Sequence, residues 1–231
     1  AVTGRLTAYY TCFMNQTEVT SFYHDEWRTL VNYAMTGIDK ENYGIEAGAE
    51  VSLTSELSVN AVASLGQFLW ITNPDITITQ DNNSQVLSNE EVWIQYFRQS
   101  GTPQTALALG VEYNSSRFWW AGVTGSYYDN VFLDFNPVTR TKDESGYYPY
   151  WDYQQKADPG FLVDIFVGKS WRIDDLYIYL SANLSNVLNN KTLITGGYEQ
   201  YRYDPERPDL FKPRVYYANG FNYFINLSIR Y

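Results

Sequence analysis

The sequence predicts an all-β protein, an antiparallel transmembrane β-barrel segment of about eight strands. Three observations predict this fold. Apolar and polar residues alternate with period two along several segments, and the last segment ends the chain on an aromatic residue. Short turns alternate with long polar connections, and no segment shows a sustained helical period. This combination is typical of sheets whose strands cross a bilayer.

The C-terminal segment, from Phe221 to Tyr231, shows the alternation most clearly. Successive side chains of a strand point to opposite faces, so this segment has an apolar wall and a polar wall. A tilted strand of about 9–11 residues spans a bilayer, and this segment has that length. We predict that its apolar residues form the signal read by outer-membrane assembly machinery: Tyr223, Ile225, Leu227, Ile229 and Tyr231.

Other segments repeat this design and are separated by residues that favour turns. Between Asn15 and Asn42 two arrangements stay open, one long loop or an additional hairpin. The predicted strands lie near Thr3–Phe13, Val31–Leu53, Leu57–Ile71, Pro103–Tyr113, Phe118–Asp134, Phe161–Trp171, Leu176–Val187 and Phe221–Tyr231.

The connections come in two lengths, which fall on alternate sides of the strands. Short turns follow the strands that end near Leu53, Tyr113 and Trp171. Outer-membrane barrels have short periplasmic turns and long extracellular loops, so we expect this arrangement here. The long polar segments, which are the predicted extracellular loops, run from about Thr72 to Thr102, from Asp129 to Gly160 and from Leu188 to Gly220.

Composition limits the classes of function. The chain has 231 residues, of which 45% are hydrophobic and 18% aromatic, and no run approaches the about 18 apolar residues of a membrane-spanning helix. The net charge of −10 leaves no basic patch for nucleic acid. Cys12 is the single cysteine, which excludes an internal disulfide framework. With His24 as the single histidine and no nucleophile elbow or phosphate loop, the sequence predicts no enzyme, no cofactor and no metal site.

Two sets of residues are candidates for contact with a substrate. One set lies on the polar faces of the predicted strands, where we expect it to line the lumen: Glu46, Glu50, Glu112 and Asp164. The other lies in the long loops, where dense aromatic rings can grip sugars or peptides. Its members are Trp93, Tyr147, Tyr148, Tyr150, Trp151 and Tyr153. These rings would alternatively pack on each other, on neighbouring loops or on a surface partner lipoprotein.

The order of these landmarks resembles the C-terminal part of a TonB-dependent outer-membrane receptor, of the type abundant in Bacteroidetes. The residues that carry the resemblance are Asn42–Val59, Thr102–Asn130, Gly168–Asp204 and Pro213–Tyr231, with SNVLNN similar to the segment before the last extracellular loop of such receptors.

The resemblance implies active transport across the outer membrane. Such receptors hold an N-terminal plug inside a barrel of about 22 strands. Residues 1–231 would then be the C-terminal part of one barrel domain, and the plug would lie outside this chain. The implied partners are outer-membrane lipid, the remainder of the barrel with its plug, and TonB, which acts through that plug.

Two other interpretations stay open. One is a small standalone outer-membrane barrel with a structural, adhesive or passive-pore role. The other is a soluble, aromatic-rich carbohydrate-binding sandwich. The apolar rows of the strands separate the membrane interpretations from the sandwich, because a second protein layer covers them only in the sandwich.

Overall fold

A computed structural model describes residues 1–24, 27–81, 85–141, 154–202 and 207–231. Antiparallel strands make up most of these residues, and no α-helix occurs among them. The strands are β1 Val2–His24, β2 Thr29–Ser52, β3 Leu57–Trp70, β4 Asp75–Gln80, β5 Val86–Glu91, β6 Thr105–Ser115, β7 Trp119–Asp129, β8 Gly160–Ile173, β9 Leu176–Ser185, β10 Ile194–Tyr198, β11 Arg214–Tyr217 and β12 Asn222–Arg230. Two 3₁₀ turns span Pro137–Arg140 and Pro208–Phe211. Within the described ranges, no helix is long and apolar enough to cross a membrane.

Eight long strands form one sheet in the order β1-β2-β3-β6-β7-β8-β9-β12. Every neighbouring pair is antiparallel, which confirms the predicted antiparallel fold. The three short turns join β2 to β3, β6 to β7 and β8 to β9, so they lie at one end of the sheet. This short-turn end also holds the C-terminus, because Arg230 pairs with Tyr177 beside the last turn.

The strand register places apolar residues opposite apolar residues across the whole sheet. One row of paired residues crosses all eight strands, and all but one of its members are aliphatic. A register slip of one residue would move a strand's apolar side chains to the other face, so the row fixes one apolar and one polar face. Its members are Val2, Val51, Val59, Val111, Val123, Ile165, Leu184 and Tyr223.

The first strand is longer than predicted. It continues to His24 and pairs with β2 almost throughout, so the region between Asn15 and Asn42 is neither one long loop nor an additional hairpin but an extension of this strand pair. Register shifts interrupt the pairing near Gln16, where Asn15 has a positive φ of 52° and Gly37 one of 72°. The Asp39 carboxylate accepts a hydrogen bond from the Asn15 amide at 2.7 Å and stabilises this irregularity. Such bulges redirect the following side chains, which the period-two pattern could not indicate.

The buried core lies at the opposite end from the short turns, on the polar-face side of the sheet. Asn60 and Trp70 are an even number of residues apart in β3, so Trp70 lies on the polar face with Asn60, and it is only 6% exposed. Strand β4 pairs with residues 31–36 of β2, where β3 has ended, and the β4–β5 hairpin brings further aliphatic side chains onto this core. The core residues are Val31, Tyr33, Met35, Ile38, Trp70, Ile76, Ile78, Val92, Ile94, Phe97 and Phe135.

Aromatic rings cover glycines of neighbouring strands on the polar face. Trp120 pairs with Gly168, and a Cβ atom added to Gly168 would lie 2.0 Å from the Trp120 ring. We therefore expect Gly168→Ala to displace this ring and to lower the free energy of unfolding by about 1–3 kcal/mol. Gly125→Ala is the matched control, since no atom lies within 4 Å of an added Cβ there. Urea titration of both variants tests this, and equal midpoints would show that the ring is not held against the glycine.

Candidate functional site

The three long segments meet at the long-loop end, over the polar face of the sheet. We use the names segment A for residues 72–81 and 85–102, segment B for residues 129–141 and 154–159, and segment C for residues 188–202, which is the first described part of the third long segment. The sequence predicted polar loops here. The structure instead gives segment A a hairpin, segment B a 3₁₀ turn, and segment C the strand β10, which pairs with β11.

Segments B and C are joined through their backbones. The Asp134 amide donates to the Gly197 carbonyl at 2.9 Å, and the Glu199 amide donates to the Asp134 carbonyl at 2.8 Å. Asn136 extends this ladder, since its side-chain nitrogen donates to the Gln200 carbonyl at 2.9 Å. The same Asn136 side chain caps the 3₁₀ turn by accepting from the Val138 amide. One asparagine therefore both begins the turn and holds the neighbouring segment.

Arg140 lies at the point where all three segments meet. Its side chain is 2% exposed, and its guanidinium donates to both carboxylate oxygens of Glu199 in segment C, at 3.0 and 2.9 Å. Its carbonyl accepts from the Trp93 amide of segment A at 2.9 Å. Its guanidinium also lies 5.6 Å from the ring centroid of Phe97. A buried bidentate pair of this kind fixes orientation strongly, because removal of either partner leaves a charge without compensation.

A second set of hydrogen bonds joins segments A and B. The Gln154 side chain accepts from the Arg98 amide at 2.7 Å and donates to the Arg98 carbonyl at 2.6 Å. Val92 forms an isolated bridge with Thr141. Thr141 and Gln154 lie directly before and directly after residues 142–153. Both residues contact segment A.

Asp134 of segment B interacts electrostatically with Glu18 and Lys40, which belong to the extension of β1 and β2. It is accessible to solvent, yet surrounding protein atoms desolvate its carboxylate and, together with nearby Glu18, raise its pKa above the ordinary value. Glu18 is itself paired with Lys40 at 2.5 Å, and Lys40 lies 4.0 Å from the Trp70 ring centroid. Burial also raises the pKa of Tyr201, whose ring stacks on Phe22 at 4.7 Å. This region therefore combines carboxylates, a cation and aromatic rings at the long-loop end of the sheet.

We expect Asp134→Asn to raise the thermal midpoint at pH 7. The pKa of Asp134 is raised in the folded state, so the native state holds this proton more strongly than the unfolded state does. Ionisation of Asp134 therefore destabilises the fold as the pH rises from the unfolded-state pKa through the folded-state pKa. Melting curves of the wild type and Asp134→Asn should therefore differ at pH 7 and converge below about pH 4. A difference that does not change with pH would contradict the assignment.

The structure describes only one of the six aromatic residues that were predicted to contact substrate. Trp93 is half-buried in segment A, between the fully buried Val92 and Ile94, and its amide contacts Arg140. The other five residues of this set lie outside the described residues, so their role in substrate contact stays a prediction. They are Tyr147, Tyr148, Tyr150, Trp151 and Tyr153.

The four predicted lumen-lining acids share the polar face. Glu50 and Asp164 belong to a single row, which runs through Asn60, Gly110 and Thr124. Asp164 also accepts from the Asn186 amide at 2.8 Å and so holds the chain just before segment C. The remaining two, Glu46 and Glu112, pair with Ser64 and Ser58 on the same face.

The residues of the predicted assembly signal lie on the apolar face of β12. Ile225 pairs with Ala182, and Leu227 pairs with Leu180. Tyr223, Ile225, Leu227 and Ile229 are each about 60% exposed, and Tyr231 is fully exposed. This exposure is compatible with a surface that assembly factors read, but it does not test that role.

The sequence did not indicate Arg140, Glu199 or Asp134 as residues of a site. The stretch from Asn136 to Pro137 carries a local signal, because asparagine followed by proline favours the start of a helical turn. Nothing in the sequence pairs Arg140 with Glu199, since charged residues in a polar segment are usually solvated. Among the described residues, no group of three or more His, Cys, Asp or Glu side chains is placed to hold a metal ion.

Comparison with known proteins shows that the fold of this chain is similar to that of a solved structure. The comparison with protein-family models finds no match, and neither does the comparison with curated proteins. Among solved structures, the chain is similar to one described as copper transporter OprC, with 12% identity and a TM-score of 0.58 over 99% of this chain. It is also similar to a structure described as the ferric-catecholate import receptor Fiu from K12 E. coli in a closed form, with 10% identity and a TM-score of 0.47 over 98% of this chain.

The chain spans only part of these structures, 28% of the first and 32% of the second. At 12% identity the likeness to OprC concerns the fold alone. The chain therefore has an all-β, antiparallel fold similar to that of the corresponding part of the OprC structure.

Proposed function

We propose that this chain is the C-terminal barrel segment of a TonB-dependent outer-membrane receptor that takes up a bound substrate actively. The observation that carries the proposal is the apolar row that crosses all eight strands. Its members Val111 and Val123 are 38% and 41% exposed, so no protein layer of the described structure covers them. A face of this size that stays exposed needs another apolar medium, and a bilayer provides one.

Aromatic residues at both ends of the apolar face support a membrane position. Trp119 and Trp171 lie near the short-turn end, and Tyr127 and Phe161 near the long-loop end, and all four are exposed. At about 3.3 Å per residue, Phe161 and Trp171 of β8 are separated by about 33 Å along the strand. A strand tilt of about 40° reduces this to about 25 Å, the height of the apolar band of outer-membrane barrels.

The unpaired edges of the sheet favour a larger barrel over a small standalone one. Within the described residues, β1 pairs only with β2, and β12 pairs only with β9. Hydrocarbon does not tolerate an open edge, because its backbone amides and carbonyls would lack partners. Further strands would close the barrel, and a plug inside it would engage TonB.

In this proposal the site residues have separate roles. Glu46, Glu50, Glu112 and Asp164 face the lumen and the plug. Trp93 and the aromatic residues of positions 147–153 contact substrate or a surface lipoprotein outside the cell. The terminal residues of β12 guide insertion into the outer membrane of a Gram-negative bacterium, of the Bacteroidetes type that the sequence resembles.

Conductance and uptake distinguish the proposal from its rivals. The full-length protein, purified in detergent and inserted in a planar bilayer, should show no steady conductance, because a plug fills the lumen. In cells, accumulation of its substrate should stop when a protonophore removes the energy that TonB transmits. Probes of four classes serve as substrates: a ferric siderophore, cobalamin, an oligosaccharide and a peptide.

Two other outcomes would contradict the proposal. Steady conductance with uptake that is insensitive to the protonophore would indicate a standalone passive pore. A folded protein recovered from the aqueous fraction without detergent would indicate the soluble sandwich.

A further inference from the structure

We propose that the short-turn end of the apolar face carries a binding site for the headgroup of an anionic phospholipid, formed by Lys169 and Arg117. The ligand class is a phosphodiester headgroup that has no cation of its own, such as that of phosphatidylglycerol. The inference rests on the membrane position in the proposed function and deepens it, because it names a lipid that this position binds. It does not depend on the transported substrate.

Lys169 is a charged residue on a strand face that is otherwise apolar. It pairs with Trp119 of β7 on one side and with Leu180 of β9 on the other. A charged side chain among lipid-facing residues is unfavourable unless its charge reaches water or a partner. Lys169 therefore needs a polar partner at the edge of the bilayer. The residues of β8 on this face are Phe161, Val163, Ile165, Val167, Lys169, Trp171 and Ile173.

The ammonium group of Lys169 reaches that edge. Lys169 precedes Trp171 by two residues, so its backbone lies about 5 Å nearer the centre of the apolar band than that of Trp171. Its Nζ atom donates to the Arg117 carbonyl in the turn between β6 and β7, and it lies 5.9 Å from the Trp171 ring centroid. The aliphatic stem therefore covers apolar surface, and the charge lies at the level where lipid headgroups begin.

The described part of the chain does not neutralise the two cations. Neither Lys169 nor Arg117 forms an ion pair with a carboxylate of the described residues. The Arg117 carbonyl uses one of the three ammonium donors of Lys169, which leaves two. Glu56 of the neighbouring turn accepts from the Tyr113 hydroxyl at 2.6 Å and from the Ser116 amide at 2.9 Å. Protein donors thus already bind the Glu56 carboxylate.

Aromatic rings surround the two cations on the same face. Trp119 and Trp171 are 39% and 41% exposed, and the ring of Trp119 contacts that of Tyr113 at 4.9 Å. Arg117 is exposed and interacts electrostatically with Tyr113, a residue of the apolar face. Tryptophan and tyrosine rings favour the headgroup level of a bilayer. The rings and the cations therefore lie where a lipid phosphate would be bound.

The charge at this site favours an anionic headgroup over a zwitterionic one. A zwitterionic headgroup would bring its own ammonium group toward Lys169 and Arg117, whereas an anionic headgroup brings only negative charge. The acyl chains would lie along Val167 and Ala121, which pair with each other one step nearer the bilayer centre. The site thus offers apolar surface for the chains and two cations for the phosphate.

Native mass spectrometry of the full-length protein in neutral detergent tests this inference, because it counts the phospholipids bound to each molecule. The probes are dioleoyl phosphatidylglycerol and phosphatidylethanolamine with the same chains. We expect the wild type to bind its first phosphatidylglycerol more tightly than its first phosphatidylethanolamine. Lys169→Gln and Arg117→Gln should each weaken binding of the first phosphatidylglycerol by about five-fold. Lys169→Arg should stay within about two-fold of the wild type, because it keeps the charge.

Arg172→Gln is the matched control. Arg172 lies at the same end of β8, donates to the Asp174 carbonyl at 3.1 Å and lies 5.2 Å from the Tyr177 ring centroid, but it belongs to the polar face. Its loss removes the same charge and comparable contacts, so we expect phosphatidylglycerol affinity within about two-fold of the wild type. Because Arg117 is exposed in a turn, Arg117→Gln tests the site even where Lys169→Gln is destabilised.

Three results would overturn the site. Equal affinity for the two lipids, or an equal loss in Arg172→Gln, would leave the membrane position intact and remove only this site. Displacement of the bound lipid by equimolar glycerol 3-phosphate would indicate a site for free phosphate. Retention of neither lipid by the wild type would contradict the membrane position itself, and the site with it.

Discussion

Glu199→Ala is expected to lower the free energy of local unfolding of segments B and C by about 3–5 kcal/mol. The substitution removes both hydrogen bonds to the Arg140 guanidinium, which is almost fully buried. The cation that has lost Glu199 must then draw water into the core or move away from Phe97. Protease susceptibility of segments B and C over a range of denaturant concentrations measures this free energy.

The double variant Arg140→Met/Glu199→Leu separates the ion pair from the charge that remains. It replaces both partners with apolar side chains of similar volume, so no buried charge is left without a partner. We expect it to be clearly more stable than Glu199→Ala, because apolar replacements of buried pairs are often neutral. A single variant that loses less than about 1 kcal/mol would mean that the pair behaves like an exposed one.

Val123→Arg is expected to lower the free energy of unfolding in lipid by about 2–4 kcal/mol. Val123 lies midway along β7 between the exposed rings of Trp119 and Tyr127, on the face that we assign to the bilayer. An arginine at the bilayer midplane loses its hydration or thins the membrane locally, and both are unfavourable. Urea unfolding of the protein in lipid vesicles measures the change.

Thr124→Arg is the matched control, one residue further along the same strand. Thr124 points to the polar face, where it pairs with Asp164, so an arginine there meets a carboxylate and lumen water. We expect a change of less than about 0.5 kcal/mol. Equal losses for the two variants would show that neither face of β7 is in contact with lipid.

Local alternation was sufficient to predict the eight long strands, their two faces and the position of the short turns. The reason is that strand pairing aligns rows of like residues, as in the row from Val2 to Tyr223, and each strand carries its part of that row in its own sequence. The length of β1 was underestimated because Asn15 interrupts the alternation at the bulge. Past the bulge, the inward-facing residues change parity, so the pattern no longer reads as one strand.

The secondary structure and the contacts of the long segments could not be predicted from alternation. The hairpin β4–β5 is short, and its apolar residues are too few to indicate which surface they cover. The contact between Asp134 and Gly197 joins residues far apart in the chain, and no period links them. Arg140 looks like any solvated cation in a polar stretch until the fold places Glu199 and Phe97 beside it.

The sequence by itself determined which residues of this protein form the sheet and which of its faces is apolar, because strand geometry couples each side chain to its neighbours two residues away. The tertiary structure alone decided where the buried core lies and how the long segments join. Those contacts depend on chain positions that only folding brings together, and a buried ion pair gains its strength from the low dielectric that the assembled core creates.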